Sequence, residues 1–293
     1  MAALVWDREG EHFFETGVSH GVLYTQVKTA NQGGGYTIDW ADGVAWNGLT
    51  SVSESPDGGD EQTFYADNIK YLSLRGTENF GGSIGAYQSP VEFDKCDGTA
   101  TLGTVVENVA TSFAGITVGQ QTRVPFCFVY ITQKGNDQEG SEYGEIINIV
   151  YNATASPSSR DYNTINDSPE PNELSWDFTT TPVAISAIDP VTGKQFKPTS
   201  HLKIDTTRFV GSDAQTKLAN IKKALFGSDN TYTYVSKTPT ANPQAEGLYE
   251  KNGSNEYVLT TDTTIVSEKT YYERLDAGQP RILMPDQIIN MMS

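Results

Sequence analysis

The alternation of apolar and polar positions predicts a long β-hairpin over residues 44–75. Val44–Ser55 is rich in Val, Thr, Trp and Leu without helical spacing, and Gln62–Leu74 resumes the same strand composition. Between them, Pro56–Asp60 is a cluster of turn residues, which hold the backbone in conformations that strands do not adopt. The predicted hairpin therefore has an acidic tip, formed by Asp57, Asp60 and Glu61.

A second long hairpin is predicted over residues 122–155. The apolar stretch within Val118–Gln133 is followed by the turn cluster Gly135–Asp137, and Tyr143–Ala155 then provides an antiparallel partner. Successive side chains of a strand point to opposite faces. One face of the second strand should therefore carry Ile147, Ile149 and Tyr151, and the other Asn148, Val150 and Asn152.

One substantial helix is predicted, over Asp213–Phe226. Ser212 can cap its N-terminus together with Gln215, and Gly227 suits the position just beyond its C-terminus. The apolar residues recur at the spacing of a single helical face, so they form a stripe that can pack on a sheet: Leu218, Ile221 and Leu225.

These patterns predict a mainly β fold, a β-sandwich with one flanking helix, in four segments. Residues 1–20 lack a clear period and are expected to form a flexible N-terminal arm. Residues 21–231 form the main β domain, and residues 232–273 form a small inserted β module with Asn-Pro and Asn-Gly turns. Residues 274–293 return to the main domain.

The composition restricts the classes of function. A net charge of −17 argues against a protein that grips nucleic acid, because phosphate binding needs clustered Lys and Arg. The N-terminus lacks the pattern of a signal peptide, and no apolar run approaches the roughly 18 residues of a membrane helix. We therefore expect a soluble protein made in the cytoplasm, with no membrane partner.

Candidate chemistry is sparse. Cys96 and Cys127 are too few for a disulfide scaffold, and Cys127 lies in an apolar run typical of a buried strand. None of His12, His20 and His201 lies beside a plausible nucleophile or ligand set. Phosphate-loop, dinucleotide-binding and zinc-protease motifs are absent from the sequence. We expect no catalytic residue, no metal and no cofactor.

Five strings resemble the major tail protein of long-tailed phages of Gram-positive bacteria. They are VAWNGLTSVSESP, YADNIKYLSL, VGQQTRVPF, YNTINDSPE and SWDFTTTPV, which occur in this order between residues 44 and 183. The resemblance implies a structural virion protein whose six subunits form a ring. Stacked rings would form a non-contractile tail tube through which DNA and the tape-measure protein pass. It also implies two packed sheets with a helix alongside, and neighbouring subunits whose strands close one barrel.

The resemblance and the hairpin positions together suggest residues for contacts between subunits and for the lumen. The suggested contact residues are Trp46, Asn47, Asp57, Asp60, Glu61, Gln120, Gln121, Arg123, Asn166 and Asp167. If Gln62–Leu72 is one strand, its two faces differ in polarity. The more polar face, expected to line the lumen, carries Gln62, Phe64, Ala66, Asn68 and Lys70. The face expected to pack on the core carries Thr63, Tyr65, Asp67, Ile69 and Tyr71.

Acidity around the hairpins fits such a lumen. Glu54–Asp97 holds nine acidic residues against three basic ones, and Lys134–Glu173 holds eight against two. An acidic lumen would repel phosphates, so DNA could pass without specific binding. The alternative is a carbohydrate-binding β-sandwich module, because the insert carries aromatic residues of the kind that stack on sugars: Tyr234, Tyr249, Tyr257, Tyr271 and Tyr272.

Overall fold

A computed structural model describes most of the chain. The described residues are 6–31, 34–76, 78–103, 105–106, 109–110, 115–157, 164, 167, 171–228, 233–236, 239, 242–253, 256–275 and 278–292. The fold is mainly β, with 45% of residues in strands and 14% in helices, which confirms the predicted fold class.

The strands number nineteen within the described ranges. They are β1 (Phe14–Ala30), β2 (Tyr36–Trp40), β3 (Val44–Trp46), β4 (Leu49–Asp57), β5 (Glu61–Ala66), β6 (Ile69–Arg75), β7 (Asn79–Ala86), β8 (Ala100–Thr101), β9 (Val105–Val106), β10 (Val109–Ala110), β11 (Thr117–Val118), β12 (Phe126–Asn136), β13 (Gly140–Pro157), β14 (Leu174–Thr180), β15 (His201–Asp205), β16 (Thr233–Ser236), β17 (Tyr249–Lys251), β18 (Tyr257–Leu259) and β19 (Tyr272–Leu275).

The helices described are short except for one. They are α1 (Asp94–Asp97), α2 (Ser212–Phe226) and α3 (Pro285–Met292), with single 3₁₀ turns at Val91–Phe93 and Thr206–Arg208. Helix α2 confirms the predicted helix, and its buried residues are Leu218, Ile221 and Leu225, the predicted stripe. The expected cap is wrong, because Gly211 is the N-cap residue and Ser212 is already helical.

A nine-stranded antiparallel sheet forms the body of the protein. Its main path runs β2-β1-β12-β13-β14-β7-β4, with β15 beside β13 and β3 beside β1. The second predicted hairpin is confirmed, since β12 pairs with β13 from Phe126 opposite Ala153 to Asn136 opposite Gly140. The predicted faces of β13 also hold, with Ile147 and Ile149 on the helix side and Val150 on the other side.

Two apolar cores lie on opposite faces of the β1-β12-β13 layer. One core packs under α2 and α3 and includes Val129, Ile149 and Leu225. The other is aromatic and packs under β14, β7 and β4, where Trp46 contacts Phe93 and Trp176 with ring centroids 4.5 and 5.5 Å apart. Burial on both faces explains why the first six residues of β12 are all buried and form a continuous apolar run.

The first predicted hairpin is wrong in its pairing. Strand β4 pairs with β7, from Leu49 opposite Ala86 to Asp57 opposite Asn79, and among the described strands β5 pairs only with β6. The glycines of β7 allow β4 to approach closely. A Cβ on Gly82 would lie 2.0 Å from the carbonyl oxygen of Ser53, so a larger residue would not fit there. Because β7 is rich in glycine, its side-chain pattern does not indicate a strand.

The predicted flexible arm is also wrong over much of its length. Strand β1 begins at Phe14, and its first residues pair with the end of β12. Upstream, the carboxylate of Asp137 accepts hydrogen bonds from the backbone N–H groups of Gly10 and His12 at 3.0 and 3.3 Å. These bonds, led by the one from Gly10, hold the pKa of Asp137 well below its usual range. The described part of the N-terminus is therefore docked.

The inserted module forms its own four-stranded sheet, in the order β16-β19-β17-β18. It leaves and rejoins the main body at nearly one point. A Cβ on Gly227 would lie 3.1 Å from the carbonyl oxygen of Gly278, and the N–H of Arg281 donates to the carbonyl of Ala224 at 2.7 Å. After the insert, Ile282 and Leu283 are buried in the core under the helices.

The core under the helices provides the first stability prediction. Ile221 is fully buried, whereas Ile188 is 63% exposed in a loop. We expect Ile221→Ala to lower the free energy of unfolding by about 2–5 kcal/mol, because a cavity remains where the side chain packed. Ile188→Ala is the matched control and should change it by less than about 0.5 kcal/mol. Urea unfolding followed by tryptophan fluorescence measures both, and equal effects would contradict the assigned core.

Candidate assembly surface

The hairpin β5–β6 is exposed along almost its whole length. It contacts no other strand of the described chain through backbone pairing. Its turn is formed by Asp67 and Asn68, whose φ values of 50° and 64° lie in the left-handed region. Asp and Asn tolerate this region, and such a two-residue turn matches the twist of the flanking strands. The local sequence thus closes a tight hairpin within 61–75.

The two faces of this hairpin have different chemistry. The cross-strand pairs Phe64–Leu72, Gln62–Leu74 and Ala66–Ile69 place one set of side chains on a common face. This apolar face is exposed, at 45% for Phe64, 63% for Ile69 and 59% for Leu74. We call it the apolar hairpin face, and it consists of Phe64, Ala66, Ile69, Leu72 and Leu74.

The opposite face of the hairpin carries internally paired polar groups beside the exposed ring of Tyr65. Glu61 lies 3.2 Å from Nζ of Lys70 and also accepts a hydrogen bond from the hydroxyl of Ser73. These contacts, with the Ser73 bond as the larger cause, lower the pKa of Glu61. Because the acid and the base satisfy each other, this face resembles ordinary protein surface, whereas the apolar hairpin face does not.

The predicted lumen-facing residues do not all share one face of the hairpin, because the single strand on which their grouping depends is wrong. Residues 62–72 are not one strand, because the turn at Asp67–Asn68 reverses the chain. Asn68 lies in that turn, and Lys70 lies on the face opposite Phe64. The expected core-facing residues do not pack on the core either, since Tyr65 and Tyr71 are 73% and 68% exposed. Gln62, Phe64 and Ala66 do share a face, as predicted.

The suggested contact residues fall in different environments. Trp46 is wrong as a surface residue, because it is 2% exposed and its indole N–H donates to the carbonyl of Gln88 at 2.8 Å. By sequence alone, a Trp fits a buried position where its N–H has a hydrogen-bond partner as well as it fits a contact surface. Asn47 is exposed in the loop after β3, and Asp57, Asp60 and Glu61 are exposed at the base of the hairpin.

The remaining suggested residues lie in loops. Gln120, Gln121 and Arg123 are exposed in the segment before β12, which is held to α1 by a hydrogen bond from the N–H of Gln121 to the carbonyl of Gly98. Asp167 is exposed, and Asn166 lies outside the described residues. The suggested residues thus fall into separate groups that are already neighbours in the sequence, with Asp57, Asp60 and Glu61 at the base of the hairpin and Gln120, Gln121 and Arg123 before β12.

A groove opens between β2 and the segment before α3. It has a volume of about 540 Å³, and its lining residues include Gln26, Ile38, Trp40, Asn152, Arg281 and Met284. Within the described part of the chain, strand β2 pairs only with β1, with Trp40 opposite Gln26 and Ile38 opposite Lys28. No local sequence pattern indicates this groove, because its walls come from segments more than 200 residues apart.

A polar cluster lies where β4 meets β12 and β15. Glu54 accepts a hydrogen bond from Tyr130 at 2.6 Å, and it lies 3.2 Å from Nε2 of His201 and 3.1 Å from Nζ of Lys203. The contact with His201 is the largest cause that lowers the pKa of Glu54 to about 2. No Ser, Thr or Cys nucleophile takes part in these contacts, so we interpret the cluster as a tie between strands.

The inserted module uses several of its tyrosines internally. Tyr271 is 2% exposed, and its hydroxyl donates to Asp262 at 2.8 Å. Tyr257 and Tyr272 pack edge to face with centroids 4.9 Å apart, and the ammonium group of Lys251 lies over both rings. These three rings therefore do not form the row of open aromatic platforms that the carbohydrate-binding alternative expected.

The described residues provide little for other kinds of site. None of their His, Cys, Asp and Glu side chains gather in a group of three or more that could hold a metal ion. Cys96 and Cys127 are free and buried, and burial raises the pKa of each thiol to about 12. Across the same residues, no helix has the length and apolar character needed to cross a membrane.

The chain matches no protein-family model, and no curated protein matches its sequence.

The polar cluster generates a pH prediction. The pKa of Glu54 falls from an ordinary 4.5 to about 2 on folding, so Glu54 stabilises the fold above pH 4.5 and this contribution is lost as the pH falls toward 2. Because the side chain is partly exposed, we expect about 1 kcal/mol. Between pH 4.5 and 2, wild type should lose more unfolding free energy than Glu54→Gln. Urea unfolding at several pH values measures this, with Glu92→Gln, an exposed carboxylate, as control.

Proposed function

We propose that this chain is the self-assembling structural subunit of a phage tail tube. Six copies would form a ring, and stacked rings would form the conduit for DNA and the tape-measure protein in the virion. The observation that carries the proposal is the apolar hairpin face, which is exposed in the single chain. The resemblance of five sequence strings to major tail proteins supports the same function.

An exposed two-stranded hairpin of this kind has a physical need for a partner. Isolated two-stranded hairpins are marginally stable in water, and both outer backbone edges of β5–β6 lack a neighbouring strand within the described chain. Four large or medium apolar side chains on one face add to the cost of exposure. Contact with another subunit would remove both costs, which favours assembly over a monomeric binding module.

The charge of the chain fits a conduit. With a net charge of −17, the protein does not attract phosphates overall. Regions that lie at the lumen of a ring would repel a DNA backbone at short range, and this repulsion would prevent adhesion during transit. The proposal assigns the protein no catalytic role. Only the assembled ring decides which residues line the lumen.

Electron microscopy tests the proposal directly. We expect negatively stained wild-type protein to form rings or tubules as its concentration rises, and sedimentation analysis to show a concentration-dependent shift to large species. A carbohydrate-binding module would remain monomeric and would bind immobilised polysaccharides. A protein that stays monomeric up to millimolar concentration would contradict the proposed function.

Polar substitutions on the apolar hairpin face should block assembly. Ile69→Ser combined with Leu74→Ser removes two side chains, each worth about 1.5–3 kcal/mol when buried at an interface. Since 1.4 kcal/mol is a factor of ten, the concentration needed for rings should rise at least about tenfold. Neither residue packs on a core, so the melting temperature of the subunit should change little.

Val191→Ser is the matched control for these hairpin variants. Val191 is 90% exposed in a loop outside the hairpin, and the substitution should leave both assembly and melting temperature unchanged. Electron microscopy and calorimetry of the three proteins decide the outcome. Normal assembly by the hairpin double variant would show that the apolar hairpin face is not part of an interface.

Removal of the inserted module should leave assembly intact. Because Gly227 and Gly278 are neighbours, a short Gly-Ser linker from Ser228 to Gly278 closes the gap without strain in the main body. We expect the shortened subunit to fold, with the buried residues around Leu283 still in place, and to form tubes of normal diameter. Circular dichroism and electron microscopy provide the measurements. A folded variant that forms no rings would show that the module belongs to the interface.

A further inference from the structure

The groove beside β2 is incomplete in the single chain. Gln26 is nine-tenths buried at its wall, yet Oε1 of its amide has no hydrogen-bond partner in the described part of the chain. Buried acceptors are nearly always satisfied, so this oxygen points to a missing N–H or O–H donor. Asn152, also at the groove, has its amide donor paired with the carbonyl of Thr181 at 3.3 Å and does not supply it.

Beside the groove, β2 presents a line of apolar side chains. Tyr36, Ile38 and Trp40 alternate along the strand and therefore share a face, and Ile38 and Trp40 line the groove itself. Tyr36 and Ile38 are 70% and 57% exposed. The outer edge of β2 also lacks a partner strand among the described residues, since β2 ends the path of the main sheet.

The charges at the groove differ from those of the hairpin. Lys28, opposite Ile38, and Arg281, on the groove wall, are exposed cations with no ion pair among the described residues, and they outnumber the one carboxylate that lines the groove, Asp39. Asp57–Gly76, which contains the hairpin and its base, carries four acidic residues against two basic ones. One of those two, Lys70, already pairs with Glu61. In a strongly acidic protein, this local complementarity favours contact between the two surfaces over other contacts.

We propose that the groove receives the β5–β6 hairpin of a second copy of the chain. One outer strand of that hairpin adds to the free edge of β2, and the apolar hairpin face then lies beside Tyr36 and Ile38 on the same side of the extended sheet. A backbone or side-chain donor from the second copy then satisfies Oε1 of Gln26. Addition of a strand to an exposed sheet edge is a common mode of association. The inference rests on the proposed self-assembly and names the surface that accepts the hairpin.

The contact must be between copies, because both surfaces are exposed in the same chain. The apolar hairpin face and the residues Tyr36 and Ile38 would bury one another if the hairpin folded back onto its own groove. The hairpin that would insert follows β4 in the chain, and the strand that would receive it is β2. Strands β4 and β2 are the two ends of the main sheet path. A contact that joins different surfaces of identical subunits is heterologous, and such contacts build rings or filaments.

Engineered disulfides test the pairing of surfaces. The native Cys96 and Cys127 are fully buried, so cross-links between chains would form only through the added thiols. Full-length chains with Ile38→Cys and with Leu72→Cys are purified separately, mixed under assembly conditions and oxidised with copper–phenanthroline in air. We expect a covalent dimer in this mixture at a yield at least about fivefold above a control mixture. The control pairs Leu72→Cys with Val191→Cys, a more exposed position outside the groove.

The outcomes separate this inference from the proposed function. A dimer specific to the Ile38–Leu72 mixture supports the groove as the acceptor. Rings or tubes that form in the microscope without this cross-link, or with equal cross-linking of Val191, would overturn the groove assignment and leave the proposed function intact. Wild-type protein that forms neither rings nor tubes would overturn both.

Discussion

The structure depends on the pairing of β12 with β13. This pair lies in the middle of the main sheet, and both of its faces are buried, one against α2 and α3 and the other against β14, β7 and β4. Tyr151 on β13 also anchors the C-terminal segment, because its hydroxyl donates to the carbonyl of Leu283 at 2.9 Å. Loss of this central pair would expose both cores at once.

Around this central pair, the two cores are buried, whereas the hairpin β5–β6 and the outer edge of β2 are exposed. In the aromatic core, polar atoms have hydrogen-bond partners within the chain. The indole N–H of Trp46, for example, donates to the carbonyl of Gln88. The hairpin β5–β6 and the edge of β2 instead leave backbone groups and apolar side chains without partners among the described residues. Natural proteins usually protect such edges. The proposed assembly explains why this one leaves them exposed.

Much of the fold could be predicted from local pattern. The stripe of Leu218, Ile221 and Leu225 has helical spacing, and the alternation along β13 is unambiguous, so burial followed directly from sequence. The pairing of β4 could not be predicted, because its partner β7 is recognisable only by the space its glycines leave for Ser53 and Phe178. The hairpin β5–β6 could not be predicted either, because the strand-like composition of Gln62–Leu74 does not reveal the turn at Asp67–Asn68 that divides it into two strands.

The sequence by itself determined the mainly β class, the long helix, the insert and the acidic character of the hairpin region. These properties depend on spacing, composition and turn residues, which act within a few positions of the chain. Only the tertiary structure decided which strands pair, that the apolar hairpin face stays exposed, and that Gln26, Trp40 and Arg281 line one groove. Those properties depend on contacts between distant segments, and their free energies are set by burial and geometry that no local pattern records.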